Sequence, residues 1–216
     1  MTIDGLKQTA ARLAGFRFLF IVLVNLVPVA GVVFLAWNAG AILILYWIEN
    51  VIIGLLTLPR ILMAQGASPR REGGRPESRV GLGCFFVIHY GVFTLVHGVI
   101  TLIVVAGFVT EDQTQVWPDG GLLWAITLTA ALHGLAFFRD WIRPRQRRTA
   151  SPTFEMFRPY GRIFVLHITV LLSAWGMAEL AAPTWTVLIL CLLKAALELI
   201  LAGLGRAVKV SLATPD

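Results

Sequence analysis

Charge is scarce in this chain. Of its 216 residues 14% are charged, against 57% hydrophobic. A soluble domain of that size needs far more charge to cover its surface. Cysteine is scarce too: Cys84 and Cys191 both lie inside apolar runs and read as small packing residues, which leaves no basis for a disulfide framework. Local catalytic signatures are missing. There is no HExxH, GxSxG, P-loop or dinucleotide-binding glycine motif, so nothing marks a metalloprotease, a serine hydrolase or a nucleotide site. Alternation of apolar and polar residues over about ten positions is absent, which argues against a transmembrane barrel. No internal repeat stands out, and no segment between the apolar runs is long enough to form a second domain.

What the chain does have is apolar length. Six stretches approach or exceed the roughly 20 residues that span a hydrocarbon core: 16–37, 40–63, 80–109, 121–138, 160–180 and 183–204. A lone span must satisfy its own backbone hydrogen bonds, so each is expected to be a helix. The expected fold is an all-α, polytopic membrane bundle of six transmembrane helices, forming a single domain over 1–216. The first run is too long for a typical signal-peptide core and no small-residue cleavage site follows it, so a cleaved leader is not expected. Met1–Arg12 reads as a short interfacial stretch, and Arg143–Met156 as a segment lying on the membrane through Phe154, Met156 and Phe157.

The basic residues test this count. Lys7, Arg12 and Arg17 open the first span, and Arg60, Arg70, Arg71, Arg75 and Arg79 border or fill the second connection. Seven arginines from Arg139 to Arg162 do the same for the fourth, and Arg206 and Lys209 follow the last span. The first, third and fifth connections hold no Lys or Arg. Every basic residue except Lys194 thus falls on one side, which the positive-inside rule makes cytoplasmic, together with both termini. The same asymmetry accounts for the net charge of +6. It points to anionic lipid headgroups beside the Arg-rich loops, not to nucleic acid. Trp37, Trp117, Trp124, Trp175 and Trp185 near outer ends, with Trp141 near an inner one, suit an aromatic belt.

Ionisable groups inside such spans are costly and usually face a protein interior or a water-filled cavity. All 4 histidines lie within them, with Glu49, Lys194 and Glu198. Counting inward from the nearest basic flank at 1.5 Å per residue places His167 and His133 roughly 8 and 9 Å deep, and Glu198 roughly 12 Å. His89, Glu49 and Lys194 come to roughly 15, 16 and 18 Å, while His97, at roughly 27 Å, stands apart. Glu49 has no basic neighbour within a helical turn, so it needs a partner from another helix. Lys194 and Glu198, four apart, can pair locally; alternatively Lys194 serves Glu49. His89 and His97, eight apart on one helix, cannot hold the same metal ion. Gly91, Gly98 and Gly134 read as close-packing surfaces.

Several of these residues form recognisable groups. Tyr46-Trp47-Ile48-Glu49-Asn50, His89-Tyr90-Gly91 with His97-Gly98, Pro159-Tyr160-Gly161-Arg162 followed by His167, and Lys194 with an acid four residues on resemble an uncharacterised family of prokaryotic multi-pass membrane proteins. The resemblance spans about Leu45 to Leu201 and implies the cytoplasmic (inner) membrane of a prokaryote. It implies no activity. The pattern's last acid is usually Asp, where this chain has Glu198, and a further histidine of the pattern is absent here.

The resulting expectation is a buried His/Glu/Lys centre in the cytoplasmic half. It would be a metal-binding or membrane-embedded enzyme site, with His89, His133 and His167 as ligands of a divalent ion such as zinc. Glu49, Lys194 and Glu198 would carry the catalysis, a carboxylate acting as base or ligand and the lysine balancing charge. A proton- or ion-coupled transporter and a non-catalytic bundle with structural polar contacts remain as alternatives. Whether the chain is an enzyme, and its oligomeric state, stay open.

Overall fold

A computed structural model describes residues 3–35, 37, 39–66, 78–111, 121–142, 144–180, 189 and 191–200. Nearly all of the 67–78 loop, the acidic third connection with Asp112, Trp117 and Asp119, and the start and end of the sixth expected span, with Trp185, Arg206 and Lys209, fall outside them. The described elements are helices: α1 (Ile3–Leu35), α2 (Ala39–Met63), α3 (Arg79–Glu111), α4 (Gly121–Trp141), α5 (Pro144–Thr149), α6 (Pro152–Phe157) and α7 (Tyr160–Leu180), followed by helical residues 191–200. Four of them, α1 to α4, are long and apolar enough to cross a membrane. α1 runs unbroken from Ile3, so the expected interfacial stretch is the first part of the same helix as the first span.

Hydrocarbon tails give apolar helices no reason to leave lipid for one another, so close backbone approach has to supply the contact. α2 and α3 are joined in that way. A Cβ on Gly98 would lie 2.7 Å from the Trp47 indole, and one on Gly54 only 2.5 Å from the Tyr90 ring. Both rings are pinned. Trp47 Nε1 donates to the Thr94 carbonyl at 2.9 Å and the Tyr90 hydroxyl donates to the Asn50 carbonyl at 2.9 Å. Among the described residues Gly91 and Gly134, by contrast, have nothing within 4 Å of such a Cβ, so of the three expected packing glycines only Gly98 makes such a contact there.

α3 and α7 run side by side in the same direction. His89 Nδ1 lies 2.9 Å from the Tyr160 hydroxyl, and the His97 and His167 ring centroids are 4.0 Å apart. Eight residues along one helix thus match seven along the other. His97 is therefore level with His167, and the separation of about 19 Å between their counted depths does not hold. The two counts start at different levels, because the 33 residues of α3 extend roughly 50 Å and its first turns lie below the level at which α7 begins.

The segment between α4 and α7 folds back onto the bundle. Ser151 caps α6, its hydroxyl accepting from Phe154 N–H at 3.5 Å, and Pro152 takes the first turn, where no amide is needed. Gln65 and Gly66 N–H donate to the Arg147 and Ala150 carbonyls, both at 2.9 Å. Met156 is buried with Ile61, Phe86, Tyr90 and Ile163, so it faces protein and not membrane as expected. Phe154 and Phe157 are exposed. Trp141, expected in the belt, is buried beneath the Arg60 guanidinium, and Trp37 is buried against Gly31. Trp124 and Trp175 are exposed.

The α2–α3 contact predicts a contrast. Gly54→Ala overpacks against a hydrogen-bonded ring and should cost about 1–3 kcal/mol. Gly91→Ala meets open space and should leave stability unchanged or raise it by up to about 1 kcal/mol. Thermal unfolding in detergent compares the two.

Candidate functional site

Glu49 sits in the middle of α2, with its carboxylate turned into the bundle and the residue 4% exposed. Burying a carboxylate without partners costs several kcal/mol even after relaxation, and three side chains from three other helices meet this one. Lys194 Nζ donates to Oε2 at 2.8 Å, His133 Nε2 from α4 lies 3.1 Å from Oε1, and Arg162 Nη2 from α7 lies 3.7 Å from Oε1. Glu198, one turn after Lys194, takes the same two cations. Arg162 Nη2 donates to its Oε2 at 3.0 Å, and Lys194 Nζ lies 3.4 Å from its Oε1.

Asn25 of α1 closes the set. Its amide nitrogen donates to Glu198 Oε2 at 3.0 Å and to the Ile21 carbonyl at 2.9 Å, while its amide oxygen accepts from Lys194 at 3.4 Å. The Tyr46 ring lies under the ammonium, with Nζ 4.4 Å from its centroid, an arrangement that stabilises a desolvated cation. The Phe20 ring packs edge-on to His133. Two carboxylates therefore face one ammonium and one guanidinium, so the centre is electrically balanced with His133 neutral. A proton on His133 would add one positive charge.

The cross-helix partner expected for Glu49 is present, and the choice left open for Lys194 resolves into both acids. Glu49, His133, Lys194 and Glu198 are brought together; His89 and His167 are not. His89 is exposed and bonds Tyr160, between the Phe85 and Phe93 rings. His167 packs against His97, its Nδ1 buried without a hydrogen-bond partner among the described residues. Among the described residues no three His, Cys, Asp or Glu side chains come together as a metal ion would require. The three expected ligands thus contact different neighbours, and the two carboxylates of the cluster already carry Lys194 and Arg162.

Reading the residues one by one missed Arg162 and Asn25. Arg162 counted as a cytoplasmic flank, yet its guanidinium points inward to both carboxylates. Its place in the Pro159-Tyr160-Gly161-Arg162 group was the available signal. For Asn25 the signal was a lone amide in the apolar run Phe18–Leu35.

Residues 7–212 match a known protein family. The chain belongs to the family of unknown function DUF6498. The match takes in all of the residues of the cluster, so in this DUF6498 member the charged centre lies inside the family region. No curated protein and no solved structure matches the chain.

The shared guanidinium predicts an unequal response among arginines. Arg162→Gln leaves Glu198 with one cation for two acids and should lower stability by roughly 3–5 kcal/mol. Arg148→Gln, on the exposed surface of α5, should change it by no more than about 0.5 kcal/mol. Unfolding of the two variants in the same detergent measures the difference.

Proposed function

We propose that this protein is a proton-coupled carrier of the cytoplasmic membrane, with six spans and both termini in the cytoplasm, and that Glu49, His133, Lys194, Glu198 and Arg162 form its coupling site. One observation carries the reading: two buried carboxylates share two cations, and a histidine sits on one of them. In this site each of the two acids and each of the two cations has more than one partner. Lys194 has Glu49, Glu198 and Asn25 within 3.4 Å, so it can shift toward Glu198 without losing all its acceptors. A proton arriving on Glu49 removes the charge that holds Lys194 there. One arriving on His133 supplies Glu49 with a second, closer cation than Arg162. Either event redistributes Lys194 and Arg162 between the acids, and these residues sit on three different helices. Proton uptake is thereby linked to helix position, which is the requirement for coupled transport.

The alternative of a membrane-embedded metal enzyme is less well supported, since a divalent ion would have to displace an ammonium and a guanidinium from the carboxylates it needs. A purely structural clamp shares the observed contacts, that of His133 included, and predicts no proton flux.

The test uses a variant that keeps the charge balance. Glu49→Gln/Lys194→Met removes one acid and one cation, leaving Arg162 with Glu198. In proteoliposomes carrying a pH gradient, the wild type should pass protons above the rate of empty vesicles, and this variant should lose at least about tenfold of that flux, on the order of 1.4 kcal/mol. A wild type no faster than empty vesicles, or a variant as fast as wild type, would refute the assignment.

A further inference from the structure

The α5–α6 platform carries a surface that the buried centre does not use. From Arg143 to Arg158 the chain has five arginines and one acid, Glu155. Glu155 is buried and points inward: Arg158 Nη1 donates to it at 3.3 Å, and Arg60 Nη1, at the end of α2, lies 3.8 Å away. The one negative charge of the segment is thus held beneath the platform, shared by Arg158 and Arg60. Arg148 is exposed, and the Arg158 side chain is 45% exposed. Beside them Phe154 and Phe157 are each 59% exposed, on a helix whose other face, with Pro152 and Met156, is buried.

The platform has a fixed height. Its bonds to Gln65 and Gly66, and the ion pair with Arg60, hold it at the C-terminal end of α2. α6 itself packs through Met156 on Ile61 near that end of α2 and on Phe86 of α3. Gly66 makes the junction possible, because a Cβ there would overlap the Thr149 carbonyl. Two rigidly held phenylalanines and outward arginines therefore sit where apolar spans give way to polar ends. Aromatic rings at that height seat among the upper acyl chains, and guanidinium groups bind phosphodiester oxygens in bidentate fashion.

We propose that α5 and α6 form a docking surface for anionic phospholipid, with Phe154 and Phe157 inserted beside the chains and Arg148 and Arg158 on the phosphate. The inference depends on the helices being membrane spans and is independent of the carrier assignment. Charge selects the occupant: a zwitterionic headgroup offers the same phosphate with a compensating ammonium, whereas an anionic one gains roughly 1 kcal/mol for each arginine near the surface.

The full chain in neutral detergent is titrated with short-chain phosphatidylglycerol, short-chain phosphatidylcholine or inorganic phosphate while its unfolding temperature is followed. A ligand that binds the folded state raises that temperature. Phosphatidylglycerol should raise it by at least ~4 °C more than phosphatidylcholine, with inorganic phosphate inert. Arg148→Gln/Arg158→Gln should lose more than half of the increment, and Phe154→Ser/Phe157→Ser should weaken the response to both lipids. Should the arginine pair fail to fold, Arg148→Gln alone decides, because its side chain is exposed. Equal shifts with both lipids, a matching shift with free phosphate, or a full increment in the arginine variant would overturn the proposal.

Discussion

Two carboxylates and two cations held inside an apolar bundle form the constraint to which the rest of this structure answers. Alone, each of the four charges would be costly in hydrocarbon; together they balance, provided that the helices bearing them are held at one depth and in one rotation. Asn25 from α1, Glu49 from α2, His133 from α4, Arg162 from α7 and the Lys194–Glu198 turn each contribute a side chain. The cluster therefore specifies how these helices sit relative to one another. Apolar contact with lipid-like neighbours would leave that undetermined.

The remaining contacts hold that arrangement to within a fraction of a helical turn. Trp47 over Gly98 and Tyr90 over Gly54 set the register of α2 on α3. The His89–Tyr160 and His97–His167 contacts set α3 against α7. Pinning α7 in this way also places Arg162, which begins below the level of Glu49 and extends up to it. A long side chain near a helix end ordinarily carries its charge outward to the headgroups. Here two acids outweigh that tendency, and the guanidinium is drawn in.

That reversal shows where the sequence was legible and where it was not. Helices α1 to α4 could be read from apolar length, because the constraint acts along one chain segment at a time. The need of Glu49 for a partner on another helix was also legible, since no cation lies within a turn of it. The partner's identity was not. Lys194 could reach either acid by local geometry, and Arg162 has the position of an ordinary flanking charge; only the packing of α7 distinguishes the two roles. The packing groups the histidines differently for a related reason. Depth counted from a basic residue assumes that each helix begins at the membrane surface, and α3 begins well below α7. His97 and His167, set apart by that count, touch, while the three residues grouped as metal ligands contact Tyr160, Glu49 and His97 respectively. Met156 and Gly91 show the same limit at smaller scale, since which face of an element meets protein depends on neighbours that one segment does not encode.

The central claim is that Glu49 and Lys194 owe their place in the bundle to each other, and a double-mutant cycle tests it most directly. Unfolding free energies are measured for wild type, Glu49→Gln, Lys194→Met and the pair of substitutions together. Each single change strands a buried charge and should cost roughly 3–5 kcal/mol, whereas the double change strands none and should cost less than either single one. A double variant whose loss equals the sum of the two single losses would contradict the account.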